Sequence, residues 1–490
     1  MKSIYQYIEY IENQYAERVA FRWYDKRENR LYEKTYEEYV RDVRNCAMNL
    51  MQRFPDIKGQ HICILAANSY AYIVALVGVI LANGVAVPLN PNERLEVLKD
   101  EIDLVEPKLI FTDGNYQKHE PSFDAVIKTP TANLLSALEP CARLCVIHDA
   151  PERFDETAVI IFTSGTTGKN KGVMLSWRNI RSLIRAHRSN YDRWSKYCDV
   201  DALTPLAMMP FYHIGGLCTP LMFCPLGVPC YICTDISNLY QDIKLSNARY
   251  TAVPPVILED FRANILRNKR EKIANLIVIA TGGASINHEI LDVFSQNGIQ
   301  VVDAYAMTET CGVAAASVIG ETNEYKRLHS VGIMSDECET AIKDGEICFK
   351  GDVVTRGYYK DPVATAEAFD EDGWFHSGDM GYLDEEGYLF LTGRKKNLII
   401  LASGENVSPE ELENLLLENA SIKEVLVKEK NGKICAEIFC DEERREEVEA
   451  FIRQFNKTLP FYKQIVLREY RTTPFERTAI GKIKRQQNGD

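Results

Sequence analysis

From Val159 the chain reads Val-Ile-Ile-Phe-Thr-Ser-Gly-Thr-Thr-Gly-Lys-Asn-Lys-Gly-Val to residue 173. A buried-type strand, Val159 to Phe162, runs directly into a polar loop, and a helix start follows at Ser176-Trp-Arg-Asn. Four hydroxyls, three glycines and two lysines take nine of the ten positions from Thr163. Glycines let backbone N–H groups close on an anion, Ser and Thr add donors, and lysine adds charge, so the stretch suits wrapping a polyphosphate. No G-x-x-x-x-G-K-[ST] can be aligned, which excludes a Walker A loop.

Around this loop, amphipathic helix patterns alternate with short apolar strands over most of the first 390 residues. His61-Ile-Cys-Ile-Leu, Lys108-Leu-Ile-Phe-Thr, Asn275-Leu-Ile-Val-Ile-Ala and Val301-Val-Asp-Ala-Tyr are examples. Continuous apolar runs separated by helices predict an α/β fold with mostly parallel sheets covered by helices. From Asp344 the strands become shorter and glycine-punctuated. After Gly393 a final block holds a helix from Pro409, two apolar strands, a charged helix over Glu442 to Lys457, and a basic tail. That predicts a large N-terminal domain, residues 1–393, and a small α+β C-terminal domain, residues 394–490, on a short hinge. No internal repeat or low-complexity tract is present.

The chain has 490 residues, 57 Lys plus Arg against 70 Asp plus Glu, and a net charge of −13. With 46% hydrophobic and 26% charged residues it reads as a soluble globular protein. The acidic balance argues against general binding to nucleic acid or anionic membranes. Tyr70 to Leu89 is nearly uncharged, but Asn83-Gly84 interrupts it, which predicts a buried helix feeding a buried strand rather than an integral membrane segment. Fourteen cysteines are spread over the chain, and Met1 to Arg22 does not read as a signal peptide, so reduced thiols in a cytoplasm are the expectation. Cys230-Tyr-Ile-Cys233 reads as two buried small hydrophobes rather than a metal or redox pair.

The loop from Thr163 closely resembles the phosphate loop of the adenylate-forming (AMP-binding) superfamily, in its acyl- and aryl-CoA synthetase branch. The family pattern is T-S-G-T-T-G-x-P-K-G-V, with Asn170 here in place of proline, a change expected to affect loop stiffness more than chemistry. The resemblance continues in order through Met209-Pro-Phe-Tyr-His213, Thr281-Gly-Gly-Ala284, Tyr305-Ala-Met-Thr-Glu309, Gly345-Glu-Ile, Trp374-Phe-His-Ser-Gly-Asp379, Gly393-Arg-Lys-Lys396, Ser403-Gly-Glu-Asn406 and Gly481-Lys482.

The resemblance implies ATP, Mg2+ and coenzyme A as reactants and cofactor. It places Thr163, Ser164, Gly165, Thr166, Thr167, Gly168 and Lys171 on the phosphates, Gly282, Gly283 and Ala284 on the nucleotide, and Tyr305 and Ala306 at the adenine. Asp379 and Arg394 would take the ribose hydroxyls, Thr308 the α-phosphate, and Glu309 the metal. Ala306 replaces the more usual glycine. His213 would line the acyl pocket, not act as a base; as an isolated residue it reads equally as a core histidine. Lys482, by itself one charge in a solvated basic run, matches the lysine that orients the carboxylate against the α-phosphate during adenylation. Lys396 matches the hinge about which the C-terminal domain would swap Lys482 for Ser403–Asn406.

The implied activity is a two-step ligase that makes an acyl-adenylate and then an acyl-CoA from a small carboxylic acid. Phe211 to Cys224 contains no acidic residue to hold an α-ammonium group, so a fatty or aromatic acid is expected, and with it a place in fatty acid metabolism. Two alternatives stay open: a stand-alone adenylating enzyme loading a carrier-protein phosphopantetheine, and a non-catalytic nucleotide-binding homologue.

Overall fold

The uncharged run from Tyr70 divides into a helix, Tyr70–Leu81, buried along its whole length, and a buried strand, Val85–Leu89. Asn83, at φ 65°, breaks the helix, since a left-handed residue cannot continue it. No helix among the described residues is long and apolar enough to cross a membrane. The computed structural model describes residues 1–143, 145–164, 169–196, 203–273, 275–282, 288–312, 314–321, 323–401, 405–476, 483 and 485.

The strand Val85–Leu89 lies inside a six-stranded sheet with His61–Leu65, Leu109–Thr112, Thr131–Asn133, Thr157–Ser164 and Asn170–Ser176. All its pairings are parallel except the last, an antiparallel hairpin. A nine-stranded sheet has a parallel centre made of Val19–Asp25, Cys230–Ile232, Pro205–Ala207, Tyr250–Ala252, Val278–Gly282 and Gln300–Tyr305. The two sheets share one core. Ile62 and Ile64 join the core common to both, while their neighbours Cys63 and Leu65 join a second cluster under the helix Leu95–Val105. Strands buried on both faces read as continuous apolar runs, which is why they were legible in sequence.

A third sheet, antiparallel, carries Glu339–Lys343, Glu346–Lys350, Phe375–Leu383 and Leu389–Arg394, and its core includes Tyr305. Asp344 and Gly345, both at positive φ, form the tight turn that opens it. A separate core then runs from Ile399 to Ile465 around the helices Pro409–Leu416 and Arg445–Asn456. The expected class, α/β with a smaller α+β C-terminal unit, is the observed one. One element differs: the basic tail contains a third C-terminal strand, Leu467–Arg471, parallel to Lys433–Phe439. Its charged residues are paired across the sheet, Arg471 with Glu437 and Glu469 with Lys428, so no apolar pattern announced it. Cys230 and Cys233 are both buried, as expected of small hydrophobes.

Candidate active site

The polyphosphate-type loop sits at the tip of the hairpin Thr157–Ser164/Asn170–Ser176, not between a strand and a helix. Thr163 pairs with Lys171 and Ser164 with Asn170, which sets the two ends of the loop side by side. Gly165, Thr166, Thr167 and Gly168 lie outside the described residues. The return strand is tied on its other edge to residues 357–359: Tyr359 N–H donates to Gly172 O (2.8 Å) and Met174 N–H to Gly357 O (3.0 Å).

That tie carries Tyr358 into the site. Its hydroxyl donates to Glu309 Oε1 (3.0 Å), and its ring lies 4.8 Å from Lys171 Nζ. Thr355 braces the same corner, its N–H on Glu309 O (2.7 Å) and its hydroxyl on Met174 O (2.6 Å). Loop lysine and acid are thus joined through a tyrosine that no motif had singled out. Burial pushes the Glu309 carboxyl above the usual carboxylate range, against the Tyr358 hydrogen bond and the positive charges of Arg394 and Lys171. A desolvated carboxylate short of countercharge, with the Thr308 position beside it, fits a hard divalent cation held by one carboxylate and the phosphates of a ligand, the usual Mg2+ arrangement.

The residues expected on adenosine also meet. Tyr305 ends the strand Gln300–Tyr305, at the carboxyl edge where α/β sheets bind ligands. Its hydroxyl donates to Asp379 Oδ2 (2.6 Å), and Arg394 Nε holds Asp379 Oδ1 (2.6 Å). Asp379 and Arg394 are direct partners across Phe375–Leu383 and Leu389–Arg394, so sheet register places a buried acceptor beside a half-exposed donor. Gly282 pairs with Ala304 so closely that a Cβ would stand 2.2 Å from Ala304 O. Gly283 and Ala284 lie outside the described residues; Ala306 is exposed, and Thr308 opens a single 3-10 turn to Thr310.

His213 is at the N-cap of the helix Ile214–Phe223, and burial lowers its pKa, which keeps the imidazole neutral at neutral pH. Asn68, another residue missed in sequence, holds this turn from both sides, donating to Met209 O (2.9 Å) and accepting from Phe211 N–H (2.8 Å). The helix packs against the turn after Glu309: a Cβ on Gly312 would meet Cys218 Sγ at 2.6 Å and Ile214 at 3.0 Å.

Asn170 does more than alter loop stiffness. Its amide donates to Glu101 Oε1 (2.7 Å) on the helix Leu95–Val105. Glu101 is 4% exposed, its second oxygen is buried without a partner, and burial pushes its carboxyl up to about 7 despite the Asn170 bond. Lys482, Ser403 and Gly404 lie outside the described residues; Lys396 lies in the 3-10 turn Lys395–Asn397.

Fold and site together describe an α/β protein that carries its Gly-, Thr- and Lys-rich loop on a β-hairpin beside a buried carboxylate. The AMP-binding enzyme family matches residues 9–359, and the chain belongs to that family. Its expected enzyme class, the AMP-forming ligases, stands with it. Oxalate–CoA ligase of Arabidopsis thaliana is 30% identical over 465 residues, 87% of each chain. A 2-succinylbenzoate–CoA ligase of Listeria monocytogenes is 32% identical over 346 residues, 68% of this chain and 69% of that one. Among solved structures, o-succinylbenzoate CoA synthetase of Bacillus subtilis with its acyl-adenylate intermediate superposes with a TM-score of 0.80 at 23% identity, covering 99% of this chain and 98% of that one. A fatty acyl CoA synthetase of Mycobacterium tuberculosis gives 0.75 at 23% identity, covering 99% and 97%. At these identities the two structures speak to fold.

Proposed function

We propose that the protein is an ATP-dependent carboxylic acid:CoA ligase acting on a fatty or aromatic acid. The observation that carries this reading is the convergence of two joined trios, Lys171–Tyr358–Glu309 and Tyr305–Asp379–Arg394, in a chain of the AMP-binding family. The first trio suits phosphates and their metal; the second suits a purine nucleoside, with Asp379 and Arg394 as acceptor and donor for a ribose diol.

In the first step a carboxylate oxygen of the acid bonds to the α-phosphorus of ATP, the bond to the β-phosphate bridging oxygen breaks, and pyrophosphate leaves. The attacking acid is already ionised at neutral pH, so no base is needed. The loop Thr163–Lys171 holds the phosphates in line, and Lys482 offsets the charge that gathers on the α-phosphoryl oxygens. Glu309 would hold Mg2+, which when bound supplies countercharge to the phosphates, and Thr308 would contact the α-phosphate. In the second step the coenzyme A sulfur bonds to the acyl carbon, AMP leaves, and the thiol proton passes to solvent. Residues 1–393 form the body and 394–490 a domain turning at Lys396, so that Lys482 serves adenylation and Ser403–Asn406 thioester formation. The absence of an acid from Phe211 to Cys224 supports an acyl group without an α-ammonium. The free cysteines favour a reducing, cytoplasmic setting.

The test is AMP release by the purified protein with ATP and Mg2+ over a panel of fatty, aromatic and amino acids, with and without coenzyme A. AMP with an acyl-CoA from one fatty or aromatic class is expected. Pyrophosphate release that stalls until a carrier protein is added would redirect the second step, and silence across the panel would overturn the reading. Lys482→Ala should abolish adenylation yet leave thioester formation from supplied acyl-adenylate; equal loss of both removes the assigned role.

A further inference from the structure

Glu346, Cys348 and His376 stand apart from both trios. Glu346 and Cys348 are two residues apart on the strand Glu346–Lys350, so they share a sheet face, and Cys348 is paired directly with His376 on the neighbouring strand. The pleat therefore brings a carboxylate, a thiol and an imidazole together. His376 Nδ1 lies 2.8 Å from Glu346 Oε2 and 3.5 Å from Cys348 Sγ, and the three ligand atoms lie within 4.8 Å of one another. Glu346 and Cys348 are 3% and 0% exposed, while His376 opens to solvent, which leaves an entry path.

We propose that these three side chains form a second metal site, distinct from the Mg2+ position at Glu309, that takes a borderline-soft divalent ion such as Zn2+ in competition with the ammonium of Lys395. A tetrahedral ion about 2.0–2.3 Å from N, O and S ligands holds them roughly 3.3–3.7 Å apart. The Cys348–His376 separation already meets this, and Glu346 must retreat from His376 by about half an ångström. Mixed thiolate, imidazole and carboxylate donors select Zn2+-like ions over Mg2+. His376 also has a partner behind it: Nε2 is 3.5 Å from Asp370 Oδ2, as metal-bound histidines turn their other nitrogen to a carboxylate. Lys343, 2.5 Å from Asp370, fixes that carboxylate in place.

Lys395 Nζ lies 2.7 Å from Glu346 Oε2, the same oxygen that faces His376. Ion and ammonium therefore exclude each other. On binding, the Cys348 S–H proton leaves to the buffer, the sulfur bonds to the metal, and Lys395 is displaced into solvent. Lys395 follows Arg394 directly, and Glu346 Oε1 accepts from Gly378 N–H (2.9 Å) beside Asp379, so occupancy reaches the segment leading to the C-terminal residues and the nucleoside trio alike.

The test is titration of the full chain with Co2+, read by thiolate-to-cobalt charge-transfer absorption, with Zn2+ as competitor. One Co2+ per chain with such a band is expected, displaced by Zn2+, lost in Cys348→Ser, and weakened at least about 10-fold in His376→Gln. Lys395→Ala alters an exposed side chain and should tighten binding roughly 10-fold, the worth of one charge-assisted contact removed. A band that persists in Cys348→Ser, or no tightening in Lys395→Ala, overturns the site. The readout needs no turnover, so its outcome is independent of the ligase reading.

Discussion

Glu101→Gln tests the anchoring of the phosphate hairpin quantitatively. In the folded protein the Glu101 carboxyl sits at about 7, against an ordinary 4.5, because burial disfavours the charged form more than the Asn170 bond favours it. The native state therefore binds more protons than the unfolded chain between those two values. Stability is greatest below 4.5 and falls as pH rises through 7. At about 1.4 kcal/mol per pH unit, the gap corresponds to roughly 3 kcal/mol. Glutamine mimics the neutral acid and keeps an acceptor for Asn170, but places N–H donors where Oε2 has no partner, a pH-independent cost of about 1–3 kcal/mol. The variant should be less stable than wild type at pH 5 and should gain on it by roughly 2.5 kcal/mol by pH 8, the curves crossing between about pH 5 and pH 7. Urea unfolding followed by the fluorescence of Trp177 and Trp194, both on the helix after the hairpin, measures this directly. A difference between the two proteins that does not change with pH would refute the desolvated carboxylate and the role given to Asn170.

Tyr358→Phe removes the hydroxyl from Glu309 but leaves the ring beside Lys171; a hydrogen bond to a charged group is worth about 1.5–3 kcal/mol, so kcat/KM for ATP should fall about 10- to 100-fold, with more Mg2+ needed for half-maximal rate. An unaltered Mg2+ dependence would remove Tyr358 from the site. In Asp379→Asn, the amide oxygen can accept from Arg394 and the amide nitrogen can only donate to the Tyr305 hydroxyl, so the negative charge facing Arg394 and one of the two acceptor oxygens are lost, and KM for ATP should rise about 10-fold or more with a smaller change in kcat. A change confined to kcat would argue against ribose contact. Gly282→Ala puts a Cβ 2.2 Å from Ala304 O and must push a pair of bonded strands apart, costing about 1–3 kcal/mol or more; a wild-type urea midpoint would contradict the register described.

Much of the architecture was written in local pattern. Apolar runs with strand composition between amphipathic helices specified parallel, doubly covered sheets, because a strand buried on both faces needs apolar residues at every position. Asn83-Gly84 cut an apparent span into helix and strand, since the left-handed backbone at Asn83 ends the helix wherever the segment lies. The loop composition likewise predicted an anion binder from local pattern alone. The meetings between elements were not legible. Tyr358 reaches Glu309 across 49 residues, Asn170 reaches Glu101 across 69, and Tyr305 reaches Asp379 across 74. Their partners follow from which strand edge or helix face packs where, which no window of neighbouring residues encodes. Even the Glu346–Cys348–His376 cluster, two of its three members visible as positions on one strand, needed the cross-strand register to bring in the third. Periodicity and backbone demands are properties of short segments and so belong to the sequence; side-chain partnerships depend on the relative placement of whole elements, and only the folded chain decides them.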